Sequence, residues 1–179
     1  MKTPLIYGLF MALSGLLLSL VLYFAGFHSD VEKVQTAQTI SSVGGGLLAI
    51  LFIVLGIKAR RAEVPATEDF GYGRALGAGV LVSLFACLFG VVTNFIYMNV
   101  IDRGFKEVMV QAQINKWEAA GLSSERIEQA EKVMRTMMNP ALQAVFGIII
   151  GMVFCTIISL IVAAFLKRPA TEGQPPVAA

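Results

Sequence analysis

The chain has 179 residues, of which 56% are hydrophobic and only 15% are charged. Ordinary soluble domains carry about 25% charged residues, so this composition excludes a water-soluble core. The 14 basic and 12 acidic residues give a net charge of +2, which carries no signal for nucleic-acid binding. The length allows one compact bundle and leaves no room for a second, catalytic domain.

Four apolar runs follow one another along the chain, and none of them contains Asp, Glu, Lys, Arg or His. They are residues 5–26, 40–57, 75–101 and 141–166. A helix as long as the first run measures about 33 Å, enough to cross the hydrocarbon core of a bilayer. The sequence therefore predicts an all-α integral membrane four-helix bundle. It forms a single membrane domain over residues 1–168, with a flexible tail over 169–179.

The first run also resembles the apolar core of a signal peptide, but we interpret it as a retained span. Tyr23 stands where a cleavage site needs a small residue, and the apolar stretch is too long for a usual signal core. We therefore count this run among the four membrane-spanning helices.

Charge in the connecting segments predicts the orientation of the bundle. The first segment, residues 27–39, carries one basic residue, Lys33. The second segment carries Lys58, Arg60, Arg61 and Arg74, and the tail begins with Lys167 and Arg168. The longer third segment carries six basic and six acidic residues, and longer loops weigh less in the charge rule. Short segments rich in Lys and Arg stay in the cytoplasm. We therefore expect the second segment and both termini to be cytoplasmic, and the first and third segments to lie outside.

The third segment, residues 102–140, predicts an extramembrane helical hairpin between the third and fourth spans. Its apolar residues keep a helical spacing in two arms. Between the arms, Gly121 is a natural helix stop and Ser123 a natural helix start. At the far end, Asn139 can cap a new helix in which Pro140 is the first residue.

The apolar stripes of this hairpin allow two interpretations. In the first, which we favour, the stripes pack on each other and the charged residues are solvated, as in ordinary amphipathic helices. In the second, part of a stripe is a docking surface for a partner or for the membrane interface. The sequence leaves both interpretations open.

Small residues recur at a spacing of four in two of the runs. Gly73 and Gly77 lie at the start of the third span, and Gly147 and Gly151 lie within the fourth. Small residues let membrane helices approach each other closely. We expect these four glycines to pack helices within the bundle, with dimerisation through one of these faces as the alternative.

Three stretches of the chain resemble a known family. They are Asp-Phe-Gly-Tyr-Gly-Arg-Ala-Leu-Gly-Ala-Gly at 69–79, Ala-Gly-Leu-Ser-Ser-Glu-Arg-Ile-Glu-Gln-Ala at 120–130 and Met-Met-Asn-Pro at 137–140. They resemble the bacterial membrane-protein family called domain of unknown function 4199, common in Bacteroidetes, and the resemblance covers nearly the whole chain. It implies the four-span topology and a location in the bacterial inner membrane. It carries over no catalytic residue, because the family has no established activity.

The sequence favours a non-enzymatic function. We expect an accessory or scaffold subunit that presents the outer hairpin; the alternative is a small oligomeric transporter or channel. Ion-coupled pathways usually place ionisable groups within the spans, and here there are none. The acidic residues of the second segment suit a lipid-facing loop better than an active site. We expect no catalytic residue, cofactor, metal or nucleic acid; the expected partners are membrane lipid and either a second copy or a membrane complex.

Overall fold

A computed structural model describes residues 2–170 and contains six α-helices joined by short loops. The helices are α1 (Lys2–Phe24), α2 (Val34–Ala62), α3 (Tyr72–Ile96), α4 (Phe105–Ala119), α5 (Ser124–Met137) and α6 (Pro140–Leu166). A π-helical turn, Tyr97–Ile101, prolongs α3. Residues 171–179 of the predicted flexible tail lie outside the described residues.

Four of these helices are long and apolar enough to cross a membrane: α1, α2, α3 with its π-helical turn, and α6. This confirms the predicted all-α membrane four-helix bundle, and α4 and α5 form the predicted helical hairpin. Helix α2 extends beyond its predicted run at both ends, beginning at Val34 and ending at Ala62. The reason is that backbone hydrogen bonding continues the helix past the apolar residues on which the prediction rested.

The core lies where α3 packs against the other three long helices. The first half of α3 buries one face that consists mostly of small residues: Ala75, Ala78, Gly79, Val82, Ser83 and Ala86. Ile53 and Ile57 of α2 and Cys155 of α6 pack into the same cluster, together with Phe70 from the α2–α3 loop. Small residues suit this position because spans in lipid associate through close van der Waals packing.

Three glycines allow the closest helix contacts in this core. A Cβ added to Gly8 of α1 would lie 2.6 Å from the Cβ of Phe85 and 2.8 Å from backbone atoms of α3. A Cβ on Gly79 would lie 2.7 Å from Oγ of Ser159, and one on Gly56 would lie 2.6 Å from a methyl group of α3. A side chain added at any of these three positions would force a neighbour to shift, and at Gly8 that neighbour includes the backbone of α3.

The ends of the hairpin helices follow the local signals in the sequence. The chain leaves α4 through Gly121, whose φ of 75° favours glycine, and Ser123 directly precedes α5. At the start of α6, Oδ1 of Asn139 accepts a hydrogen bond from the backbone N–H of Ala141, and Pro140 is the first helical residue. The predicted hairpin turn and the predicted helix restart are both confirmed.

The packing of α4 differs from the interpretation that we favoured. Its apolar stripe packs on the bundle as well as on α5: Phe105 joins Val34 and Tyr97 in a second buried cluster, and Val108 and Met109 pack against it. The cause is the early start of α2 at Val34, which gives α4 a helical wall to pack on. Helix α5, in contrast, has no buried residue.

Candidate functional site

Three polar side chains are buried together where the hairpin joins the bundle. His28 lies in the α1–α2 loop, Tyr97 begins the π-helical turn and Asp102 follows that turn. Their exposed fractions are 3%, 3% and 9%. Phe105, the first residue of α4, stacks on the imidazole of His28 with ring centroids 4.0 Å apart. We call these four residues the hairpin-end cluster.

Backbone geometry places these side chains together. Helix α1 ends in a Schellman motif, in which Gly26 has a φ of 77° and the N–H of Phe27 donates to the carbonyl of Leu22. This motif reverses the chain and directs His28 toward the end of α3. In the π-helical turn, the N–H of Asp102 donates to the carbonyl of Tyr97 at 2.8 Å, five residues earlier. Such turns are rare and occur frequently at functional sites.

The hydrogen bonds of the hairpin-end cluster form a chain. The Tyr97 hydroxyl donates to Oδ2 of Asp102 at 3.2 Å, and Nδ1 of His28 is hydrogen-bonded to the same hydroxyl. A hydroxyl has one proton, so its oxygen accepts from Nδ1–H of His28. The network thus assigns the Nδ1-protonated tautomer to the histidine. The chain of hydrogen bonds thus connects the α1–α2 loop, the end of α3 and the residue that leads into α4.

Burial lowers the pKa of His28, and the nearby Asp102 carboxylate partly opposes this shift. The imidazole is therefore neutral at pH 7. A cavity of about 240 Å³ between α1 and α3 reaches this cluster at Tyr97. Because His28 and Asp102 do not line that space, the arrangement suits a buried polar connection between segments better than a catalytic acid and base.

The predicted basic residues all lie at the opposite end of the bundle, which we call the basic end. Arg168 pairs with Phe70 through two backbone hydrogen bonds of 2.9 Å, and its guanidinium donates to the carbonyls of Val64 and Pro65. Arg61 donates to the carbonyl of Leu166 at 3.3 Å. Arg168 therefore fastens the α2–α3 loop to the end of α6, and Arg61 joins the end of α2 to the same place.

The other predicted basic residues are more exposed. Arg60 forms an ion pair with Glu63, which also accepts a hydrogen bond from Thr3. Arg74 lies 3.2 Å from a carboxylate oxygen of Glu68 and also donates to the carbonyl of Asp69. Lys58 and Lys167 are exposed at the same end. Thus two of the six residues fasten segments together, two form solvated ion pairs and two point outward.

The four glycines singled out for helix packing have different surroundings. A Cβ added to Gly151 would lie 3.0 Å from Sγ of Cys87, so this glycine lies at the α3–α6 contact. A Cβ added to Gly73, Gly77 or Gly147 would meet no atom within 4 Å. Close packing at these three positions would need a lipid or a second chain, and it stays a prediction.

Sequence reasoning missed the hairpin-end cluster. Its members have ordinary local roles in the sequence: His28 in a polar loop, Tyr97 in an apolar run and Phe105 in an amphipathic stripe. Two signals were available, since His28 is the single histidine of the chain and Asp102 is the first charge after the third run. Neither signal shows that the two residues meet.

Comparison with known proteins gives one match. The family described as "Protein of unknown function (DUF4199)" has a model that matches residues 6–168. No curated protein and no solved structure matches the chain. The match covers the four long helices, the hairpin and the hairpin-end cluster, and it brings no activity with it.

Proposed function

The chain belongs to this family of unknown function, and from that premise we propose that it is a non-enzymatic membrane scaffold whose helix α5 presents a docking face to a protein partner. One observation carries the proposal. Helix α5 has no buried residue, whereas α4 is packed into the bundle through Phe105 and Val110. Helix α4 thus anchors the hairpin to the bundle, and α5 is free to bind a partner.

The exposed face of α5 includes apolar side chains. Val133 and Met137 lie one helical turn apart on the same face of α5, with exposed fractions of 59% and 48%. Exposed apolar side chains at helical spacing are the anchors that helix-in-groove recognition uses. This supports a protein partner, with a second copy of the chain as one form that the partner can take.

A bidentate ion pair on the surface joins the two arms and favours one orientation of α5. The guanidinium of Arg135 donates to both carboxylate oxygens of Glu107 in α4, at 2.8 and 3.0 Å, and to Glu131 at 2.7 Å. These bonds lower the pKa of Glu107, which keeps its carboxylate ionised at neutral pH. A fixed docking helix binds with less loss of conformational freedom than a mobile one.

The proposed orientation puts the hairpin on the outer face of the bacterial inner membrane and both termini in the cytoplasm. Its support is the gathering of seven Lys and Arg residues at the basic end, counting Lys2, and the rule that short segments rich in them stay inside. The six basic residues of the hairpin segment are balanced by six acidic ones. A cysteine introduced at Ser124 should react with an impermeant thiol reagent in intact spheroplasts. A cysteine at Glu68 is the matched control and should react only after lysis; the reverse pattern would overturn the orientation.

The docking face itself is tested by placing a photo-reactive residue at Val133 in cells. We expect a discrete protein adduct that Met137→Asp abolishes without lowering the thermal stability of the purified protein. The same probe at Gln111, an exposed residue of α4, is the control and should not give this adduct. An adduct with a second copy would identify the partner as the chain itself. Lipid adducts alone at residue 133 would refute the docking face.

A small oligomeric transporter or channel is the second candidate, and one observation favours it. Asn94 of α3 is exposed on the bundle surface and lines two cavities, one of about 210 Å³ toward α6 and one of about 240 Å³ toward α1. A polar amide facing lipid is costly unless it finds a partner. Asn94→Leu should leave a scaffold intact, whereas it should disrupt the assembly of a pore lined by this residue.

A further inference from the structure

A separate feature at the basic end points to a ligand. An open cavity of about 570 Å³ lies where α1 and α3 begin, beside the end of α2. Arg60 and Glu63 from the end of α2, Glu68 from the loop and Arg74 from α3 line its polar part. This cavity lies at the end of the bundle opposite the hairpin, so what it binds is independent of the proposed scaffold function.

The polar lining is balanced in charge, with two guanidinium groups and two carboxylates. Each guanidinium is ion-paired with one carboxylate, Arg60 with Glu63 and Arg74 with Glu68, and all four side chains are exposed by about a third or more. Hydrogen bonds from Thr3 and Arg60 lower the pKa of Glu63, so its carboxylate is ionised at neutral pH. Solvated pairs of this kind contribute little and can exchange partners readily.

The apolar lining continues from the polar part into the span. Arg74, Gly77 and Leu81 follow one another along one face of α3, and the rise from the first to the last is about 10 Å. Gly77 is open, since an added Cβ would meet no atom within 4 Å, while Ala78 beside it is buried. The small residues thus leave a groove on the lipid-facing surface of α3 that starts beside the charged pairs.

We propose that this cavity binds a phospholipid with a phosphoethanolamine headgroup, whose acyl chain lies in the groove over Gly77. The phosphate would replace the carboxylates as the partner of Arg60 and Arg74, because guanidinium groups bind phosphate oxygens well. The released carboxylates of Glu63 and Glu68 would accept from the primary ammonium, which has three N–H donors. A purely anionic headgroup would leave both carboxylates without a cationic partner, and a choline headgroup has no N–H to donate.

The test compares lipids that differ only in the headgroup. Full-length protein in detergent is titrated with dioleoyl phosphatidylethanolamine, phosphatidylglycerol and phosphatidylcholine, and bound lipid is counted by native mass spectrometry. We expect phosphatidylethanolamine to bind about tenfold more tightly than phosphatidylcholine, the ratio that the loss of one charged hydrogen bond implies. Equal binding of the three lipids, or preference for phosphatidylglycerol, would overturn the proposal.

Variants distinguish specific binding of lipid in the cavity from a general attraction of lipid to the basic end. Arg74→Gln and Glu68→Gln should each remove most of the preference for phosphatidylethanolamine, while Lys58→Gln, which changes an exposed cation outside the cavity, should preserve it. Gly77→Leu places a side chain in the groove, starting from a Cβ that meets no atom within 4 Å, so it should weaken lipid binding at unchanged thermal stability. Soluble phosphoethanolamine has the headgroup but no acyl chain to lie in the groove. It should therefore compete poorly with phosphatidylethanolamine for the wild-type protein. If these variants behave like Lys58→Gln, the bound lipid is unselective and the site does not exist.

Discussion

The two ends of this bundle are held together by different physical means. Toward the basic end, Gly8, Gly56 and Gly79 bring helices so close that an added Cβ would lie within 2.6 to 2.7 Å of a neighbour. Toward the hairpin end, Gly15, Gly90 and Gly147 face open space and border cavities, and Gly44 meets only the tip of the Leu18 side chain, at 2.8 Å. There the connection comes from buried polar and aromatic side chains that link three segments.

These two kinds of contact suit the two ends of the bundle to different roles. At the basic end, close backbone packing fixes the helices against each other, and Arg61 and Arg168 tie segments together. The exposed pairs Arg60–Glu63 and Arg74–Glu68 remain free to exchange partners. A buried hydrogen-bonded cluster fixes segments that lie outside the spans, because breaking it leaves polar groups without partners. The hairpin-end cluster is therefore suited to holding the hairpin against the bundle, and the basic end is suited to presenting charge.

The largest expected effect tests the close packing of the basic end. Gly8→Ala places a Cβ against the Cβ of Phe85 and against the backbone of α3, which cannot give way as a flexible side chain can. We expect the free energy of unfolding to fall by roughly 1–3 kcal/mol, as it does when a core is overpacked. Thermal unfolding in detergent measures it, and Gly15→Ala on the same helix is the matched control. Equal stability of the two variants would show that the helices do not meet at Gly8.

The next effect compares one hydroxyl at each end of the bundle. Tyr97→Phe removes the link between His28 and Asp102 in the buried cluster and should cost about 1–3 kcal/mol. Tyr72→Phe removes an exposed hydroxyl that donates to the carbonyl of Leu160 at 3.3 Å, and should change stability by less than about 0.5 kcal/mol. Chemical denaturation of both variants gives the comparison. If Tyr72→Phe lowers the free energy of unfolding as much as Tyr97→Phe does, burial does not distinguish the two ends.

The smallest effect is the pH dependence that the buried histidine imposes. The pKa of His28 in the folded state lies below its ordinary value of 6.5, so the unfolded chain binds a proton that the folded chain does not. Stability is therefore fully present above pH 6.5 and falls below it, by at most about 1.4 kcal/mol per pH unit. His28→Gln should remove this slope between pH 6.5 and 5 in thermal unfolding. Carboxylates with lowered pKa, such as Glu63 and Glu107, titrate below this window.

A persistent slope in His28→Gln would show that the loss of stability in this window comes from another group. The histidine faces Asp102 and Tyr97 in the folded protein, and Phe105 covers its ring. Removing the Asp102 charge should lower the pKa of His28 further, because that carboxylate partly opposes the effect of burial. Asp102→Asn should therefore extend the pH dependence to lower pH.

The architecture could be predicted from the sequence because its signals are local. Apolar runs mark the spans, Gly121 and Ser123 mark the hairpin turn, and Asn139 with Pro140 marks the start of α6. Each of these signals acts within a few residues of where it appears. Helix α2 extends past its apolar run at both ends, because hydropathy marks the membrane and does not mark where helical hydrogen bonding ends.

The hairpin-end cluster and the close glycine contacts could not be predicted, because they depend on pairs of distant segments. His28 and Tyr97 are 69 positions apart, and no local pattern joins them. The spacing of Gly73 with Gly77 identifies a small-residue face but not the neighbour that it meets. The structure places close contacts at Gly8 and Gly79 and leaves Gly77 open.

The central claim is that the hairpin-end cluster holds the hairpin on the bundle so that α5 is presented. Hydrogen–deuterium exchange of the wild type and of Tyr97→Phe, read peptide by peptide in detergent, tests it most directly. We predict slow exchange in α4 of the wild type, and faster exchange in α4 of the variant with α1 and α6 unchanged. Fast exchange of α4 in the wild type, or equal exchange of α4 in the two proteins, would contradict the claim.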